Sequence, residues 1–312
     1  LAAAHARRVS IARESNCYRL HDADADAIPG VTVERYGDFA VLHAYTPAAE
    51  GAAHELGTAL LAMGASGVYL KVRRRGDTRK LLAKLPQAEL PLVGAAAPPE
   101  LEVNEQGRRY LVRLGDGIAT GLFLDQRDNR ARLQLASTGQ RVLNLFCYTG
   151  SFSVAAGLGG AREVVSVDSS RAALSRLDAN LRLNALEPAR HRLLRADVPN
   201  WLERAARRGE RFDYVVLDPP TYSGRAQRAF TSEQQYRALV ASCLGLCSPG
   251  ACLLCVTNHR GTTKQALERT LVLAASDAGR QLDDLTRLPP PLDCPAGASG
   301  EAATKSVLLL VR

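Results

Sequence analysis

Between Val142 and Pro220, short apolar runs alternate with longer stretches whose apolar residues recur at the helical interval. Val142 to Phe146 is apolar and stops at the turn residues Tyr148, Thr149 and Gly150. Phe152 to Leu158 then follows a helical spacing, so the pattern predicts a buried strand feeding a helix. Glu163 to Val167 repeats the strand and ends at Asp168. Helix Arg171 to Leu183, strand Arg192 to Arg195 ending near Asp197, helix Trp201 to Arg208, and strand Phe212 to Leu217 ending at Asp218 complete the series. Strands that alternate with helices predict a doubly wound α/β sheet, parallel and covered on both faces, whose ligands sit at the carboxyl ends of its strands. Asp168, Asp197 and Asp218 all fall at such ends.

The chain on either side follows different patterns. A helical, basic lead holds Arg7, Arg8 and Arg13, which read as a solvated helix face. After Tyr18-Arg19-Leu20 comes an acidic loop, Asp22, Asp24 and Asp26, closed by Pro29-Gly30. Oxygen ligands at alternate positions resemble a calcium loop, but its glycine and distal glutamate are missing, so no metal is assigned. Val31 to Tyr36 and Phe39 to Thr46 read as strands turning at Gly37-Asp38. Glu50 to Met63 reads as a helix, Val68 to Val72 as a strand, Pro86 to Glu100 as an irregular connector, and Leu101 to Leu114 as a hairpin around Glu105-Gln106-Gly107. Residues 1–115 are therefore expected to form a small α+β domain of hairpin, helix, strand and hairpin. It carries no grouping of acid, His and Cys that would do chemistry, and its natural role is to position a large substrate. Residues 116–312 form the second domain. There Leu253 to Val256 is the fifth strand, Lys264 to Ala278 a helix, Gln281 to Leu288 the sixth strand and Ser306 to Arg312 the last. Pro289 to Thr304 is either a substrate-contacting loop or disordered.

Composition narrows the partners. The 312 residues carry a net charge of +8, and Arg far outnumbers Lys, which occurs only at 71, 80, 84, 264 and 305. An Arg-based excess suits a polyanion, because guanidinium pairs bidentately with phosphate; Arg-rich codon usage explains it equally. The run Lys71 to Lys84, with Arg73, Arg74, Arg75, Arg79 and Lys80, either tracks a phosphate backbone or is solvated surface. No apolar run is long enough for a membrane span and no signal-peptide core opens the chain, so a cytoplasmic protein is expected. The chain starts at Leu1 instead of Met, so the loss of a preceding segment is an expectation. Seven cysteines, mostly inside apolar elements, read as reduced thiols. Cys252 and Cys255, three apart on a strand, face opposite ways and share no metal. Cys243 and Cys247 are expected one helical turn apart in the core, and Cys147 is expected to pack within its turn.

The turn after the first strand decides the cofactor. A dinucleotide needs Gly-x-Gly-x-x-Gly to bring its pyrophosphate against the backbone, whereas Cys147-Tyr148-Thr149-Gly150-Ser151-Phe152 supplies one glycine. One glycine suffices for a phosphate-free cofactor, and S-adenosylmethionine fits. Its methionine end would lie near Asn144 and Gly150, its ribose hydroxyls at Asp168, and its adenine amino group at Asp197. Asp197 reads equally as a helix cap before Trp201. Upstream, Phe123, Asp125, Gln126 and Arg127 open a helix that Asp125 can cap. Phe123 is expected to be buried, either as a seam between domains or beside the ligand; Asp125 and Gln126 would accept from an ammonium, and Arg127 would bind a carboxylate or phosphate. Asp218-Pro219-Pro220-Thr221-Tyr222 closes the fourth strand with carbonyls that cannot enter a ladder. With Asp218 they can hold a flat, amide-bearing group while Tyr222 stacks on a base; otherwise Tyr222 fills core behind a proline-terminated strand.

Gly117 to Arg130, Asn144 to Asp168 and Asp218 to Ser223 resemble the class I S-adenosylmethionine-dependent methyltransferases that modify 23S ribosomal RNA. Tyr18 to Asp38, with Pro29-Gly30 and Glu34-Arg35-Tyr36-Gly37-Asp38, is similar to the small domain that precedes the catalytic domain in that family. The resemblance implies a Rossmann-like, seven-stranded methyltransferase sheet and cofactor contacts at Asp125, Arg127, Asn144, Gly150, Asp168 and Asp197. It implies Asp218 to Pro220 beside the target base. The amino-terminal RNA-recognition domain that some members carry is expected to be absent here. One branch of the family methylates cytosine C5 and needs a cysteine thiolate that adds to the ring. The other methylates guanine N7, whose lone pair attacks directly once aligned. In the cytosine branch the loop after the fifth strand carries the cysteine. Here it reads Thr257-Asn258-His259-Arg260-Gly261, which resembles the guanine branch; Asn258 would contact the base edge and Arg260 a phosphate. Cys255 is the reserve nucleophile, and His259 is expected to face solvent or RNA.

The expectation is thus a methyltransferase acting on a base of 23S ribosomal RNA, guanine N7 ahead of cytosine C5. Asp218, Pro219, Pro220 and Asn258 would sit at the base. Phe123, Asp125, Arg127, Asn144, Tyr148, Gly150, Asp168, Asp197 and Asp218 would surround the cofactor, with no metal. The alternative is a non-catalytic RNA-binding protein that keeps the fold; a nicotinamide-linked dehydrogenase is disfavoured by the missing glycines. No membrane partner is expected, and the number of subunits, a homodimer included, stays open.

Overall fold

The computed structural model describes residues 1–26, 28–73, 89–117, 119–220, 233–259, 261–297, 300 and 302–312. Arg74, Arg75, Arg79, Lys80 and Lys84 of the basic run, Thr221 and Tyr222 after the prolines, and Arg260 lie outside the described residues. The chain divides into two compact units, Leu1–Arg127 with Pro291–Gly300, and Asp128–Pro290 with Glu301–Arg312. The division therefore falls later than the expected 115/116, and part of the expected second-domain connector belongs to the first unit.

The first unit opens with α1 (Ala2–Ala6), α2 (Val9–Ala12) and β1 (Cys17–Asp22), and continues with β2 (Val31–Tyr36), β3 (Phe39–Ala44), α3 (Pro47–Gly51), α4 (Ala53–Ala62), β4 (Gly67–Val72) and β5 (Val93–Gly94). These strands form one sheet in the order β1-β2-β3-β4-β5, with β3 and β4 parallel and the other neighbours antiparallel. β6 (Leu101–Glu105) and β7 (Arg108–Val112) form the expected second hairpin. Strand alternation sends Val31, Val33, Ala40, Leu42 and Val68 onto Ala49, Ala53 and Leu60 of the helices. The expected single helix over 50–63 is two helices broken at Ala52. The basic lead is not simply a solvated face: Arg8 is 2% exposed and donates to Asp26, as does Arg7. Burial opposes ionisation of Asp26, yet the bonds from Arg8, Arg7 and the Asp22 amide pull its pKa down to about 2. Asp293, fully buried, accepts from both terminal nitrogens of Arg127 and from the Arg19 amide (2.9 Å), which ties Pro291–Gly300 into this unit.

α5 (Arg127–Ala136) begins at the division between the units. The second unit then runs β8 (Arg141–Leu145), α6 (Ser151–Leu158), β9 (Glu163–Asp168), α7 (Arg171–Leu183), β10 (His191–Arg195), α8 (Val198–Arg207), β11 (Phe212–Leu217), α9 (Glu233–Leu244), β12 (Cys247–Thr257), α10 (Lys264–Asp277), β13 (Leu282–Leu288) and β14 (Lys305–Val311). Its seven strands are ordered β10-β9-β8-β11-β12-β14-β13, parallel except for β14, which runs antiparallel to both neighbours. Among the described residues, a core covers each face of the sheet. Leu143, Leu145, Val215, Leu217 and Cys255 meet Trp201, Leu239, Val240, Leu267 and Leu271 on one face. Val142, Val164, Val216 and Leu254 meet Leu133, Phe152 and Ala156 on the other. The chain leaves β8 toward β9 and β10, then returns to lay β11 on its other side. In a doubly wound sheet such a reversal marks where ligands bind, here at the carboxyl ends of β8 and β11.

Candidate active site

Register aligns the carboxyl ends of these strands. Leu194, Val167, Leu145, Leu217 and Cys255 stand in one row across β10, β9, β8, β11 and β12. One residue further lie Phe146, Asp168 and Asp218. The Asp-Pro-Pro element thus ends the strand beside β8, with Asp218 half-buried, Pro219 buried and Pro220 exposed.

The turn after β8 is tightly held. Phe146 (φ 55°), Tyr148 (φ 51°) and Gly150 (φ 78°) are all left-handed. Each of the first two costs about 1–3 kcal/mol, so the surroundings must enforce the shape. The Cys147 amide donates to the Val167 carbonyl (3.1 Å), the Tyr148 amide to Asp168 Oδ2 (2.9 Å), and Asn180 Nδ2 to the Thr149 carbonyl (2.9 Å). At Gly150 a Cβ would stand 1.9 Å from Leu177 Cδ1, so glycine is required by space as well as by φ. Asp168 Oδ1 accepts from the Ser170 amide (2.8 Å). Each of its oxygens retains a second lone pair, which suits the vicinal hydroxyls of a ribose.

Other expected contacts take more specific roles. Asn144 is 2% exposed, and its Nδ2 donates to Ser153 Oγ (2.8 Å), which is 2.8 Å from Ser166 Oγ; this amide braces the sheet and α6 beneath the turn. Asp197 is exposed and accepts from the Asn200 amide (3.2 Å), so it is the cap of α8, one of the two roles left open. Asn258, exposed, follows β12. His259 Nδ1 lies 3.0 Å from Thr262 Oγ1, and its carbonyl accepts from Lys305 Nζ (3.5 Å).

Phe123, Asp125 and Arg127 belong to the first unit. Phe123, expected buried, is 48% exposed. Asp125 sits inside a 3-10 turn, Leu124–Gln126, that leads into α5, and is not at its cap. Arg127 is 2% exposed and engages the Asp293 carboxylate, a protein counterpart of the carboxylate or phosphate anticipated for it.

The thiols are withdrawn. Cys255 is fully buried; burial, then its neighbour Cys247, push its pKa far up. Burial also raises Cys252. Cys147 is raised by burial and by the Asp168 charge. Cys243 and Cys247 are not a turn apart on one helix: Cys243 lies on α9 and Cys247 starts β12, where burial pushes its thiol up to about 12. Sequence reasoning passed over Asn180 and Leu177. Both fall in the apolar stripe Ala173, Leu177, Asn180, Leu181 of α7, where a buried amide was the available signal.

A five-strand parallel run, a reversal between β8 and β11, and an antiparallel strand inserted before the edge define the class I methyltransferase fold. Residues 89–308 match the S-adenosylmethionine-dependent methyltransferase family. The chain is 32% identical over 283 residues to ribosomal RNA large subunit methyltransferase I of Salmonella arizonae, which covers 90% of this chain and 70% of that protein. A solved methyltransferase complexed with S-adenosylhomocysteine (SAH) superposes with a TM-score of 0.85 at 28% identity, covering 99% of this chain and 80% of that one. An S-adenosylmethionine-dependent methyltransferase from Streptococcus mutans gives 0.84 at 28% identity, covering 99% and 79%. The chain belongs to the S-adenosylmethionine-dependent methyltransferase family, and S-adenosylmethionine is its cofactor.

Proposed function

We propose that this methyltransferase modifies a base of 23S ribosomal RNA, and that the acceptor atom is guanine N7. The name of the Salmonella relative supports the RNA class. One observation carries the choice of atom: β12 ends at Thr257 and runs into Asn258-His259, and burial raises the pKa of the thiols on that strand, Cys247, half-buried Cys252 and Cys255. Attack on cytosine C5 needs a thiolate at the base. Guanine N7 offers its lone pair without first losing a proton, so orientation suffices.

In this reading Asp168 receives the ribose hydroxyls and Asp197 the adenine amino group. The Tyr148–Gly150 turn faces the methionine end, with Asn144 supporting it. The bound cofactor supplies an electrophilic methyl group. Asp218 and the carbonyls around Pro219 and Pro220 orient the base, Asn258 contacts its edge, and the first unit positions the RNA. A cytoplasmic location follows from that substrate.

The test is transfer of labelled methyl to unmodified 23S ribosomal RNA, with mass spectrometry locating the product. Cys255→Ala is expected to keep its activity, and Asn258→Ala to lose it by about tenfold or more, the loss of one polar contact to the base edge. Loss of activity with Cys255→Ala would move the acceptor to cytosine C5. SAH binding without any transfer would favour a non-catalytic RNA binder.

A further inference from the structure

We propose that Asn180 is a positioning residue for the cofactor: from the last turn of α7 it holds the turn in its binding shape by donating to the Thr149 carbonyl. The proposal rests on placing the cofactor at that turn.

Asn180 is 1% exposed, and its Nδ2 reaches Thr149 O at 2.9 Å. Thr149 is itself 1% exposed and lies between left-handed Tyr148 and left-handed Gly150. A carbonyl at that depth has no water to turn to, so the amide satisfies it and selects the peptide orientation at once. The same helix supplies Leu177 against Gly150, one turn earlier. α7 thus contributes an apolar stop and a polar anchor to consecutive residues. The opposite side of the turn is held by Asp168, whose carboxylate takes the Tyr148 amide. Removing the anchor takes away one of the bonds that fix the Thr149–Gly150 peptide, whose amide donates to the Cys147 carbonyl (2.8 Å), and so loosens the turn. The Tyr148 amide then departs from Asp168, and the carboxylate loses the orientation in which it meets a ribose.

Asn180→Asp keeps the shape but exchanges the donor for an acceptor. Above its pKa, which burial raises, the carboxylate repels the Thr149 carbonyl; once protonated it donates again. Calorimetry of SAH binding between about pH 5.5 and about pH 8.5 is expected to show a loss of about ten- to a hundredfold at the alkaline end. Affinity should recover on acidification, a profile the wild-type protein does not show. Asn180→Leu stays weak throughout. In turnover, KM for S-adenosylmethionine rises by a larger factor than kcat falls.

Affinity of Asn180→Asp within about twofold of wild type at every pH overturns the proposal, since that is below the effect of one hydrogen bond. Failure of the wild-type protein to bind SAH overturns instead the cofactor placement beneath it. If circular dichroism shows Asn180→Asp unfolded, Asn180→Ser takes its place. Its hydroxyl reaches Thr149 only through a water; wild-type affinity there overturns the proposal, and weakened affinity in a folded protein supports it.

Discussion

At the scale of residues, Gly150 and Asp168 have little freedom to change. Gly150→Ala must place a methyl where Leu177 now lies and hold alanine at φ 78°. We expect a folded but destabilised protein with SAH affinity lowered by about tenfold or more, read by calorimetry beside a melting curve. Both residues were legible in the sequence, because a single-glycine turn and a strand-ending acid are local signals. The partners that fix neighbouring side chains were not. Arg127 looked free for a ligand because Asp293, its partner, lies 166 residues further on. Asn180 is likewise separated from Thr149 by 31 residues, and no local pattern joins them.

At the scale of elements, Asp197 serves α8 first. Asp197→Ala should cost about 1 kcal/mol of stability as a lost cap, whereas Asp197→Ser keeps the cap and removes the charge. If Asp197 also meets adenine, Asp197→Ser melts like wild type yet binds SAH more weakly; equal binding would leave only the capping role. Most strands and helices of the second unit were readable from periodicity, since each buries a consistent face. β1 was not. Its register slips between Arg19 and His21, so the alternation that announces a strand is interrupted. Cys247 misled for a related reason: a spacing of four from Cys243 imitates a helical turn where the chain has already passed from α9 into β12.

At the scale of the molecule, acid should loosen the first unit through Asp26. Its carboxyl titrates near 3.8 unfolded and about 2 folded, so the bonds from Arg8, Arg7 and the Asp22 amide together contribute fully above 3.8, and that stability is lost as pH falls through about 2. The contribution is on the order of 2 kcal/mol, from a shift of roughly two units. Asp26→Asn should flatten the decline in denaturation midpoint between about pH 4 and about pH 2, while lowering stability at neutral pH. The α/β class was legible at this scale. The division at Arg127 was not, because the segment that joins the first unit arrives after six of the seven large-sheet strands.

That order of arrival bears on biogenesis. β14 fills the slot between β12 and β13, and Pro291–Gly300 belongs to the first unit. During synthesis, therefore, neither unit can close over its last partner until residues beyond 290 emerge, so a ribosome stalled earlier would carry a sheet with an unfilled gap and Arg127 without its counter-ion. Chaperone dependence of such stalled chains, compared with the released protein, is where this architecture should leave its mark.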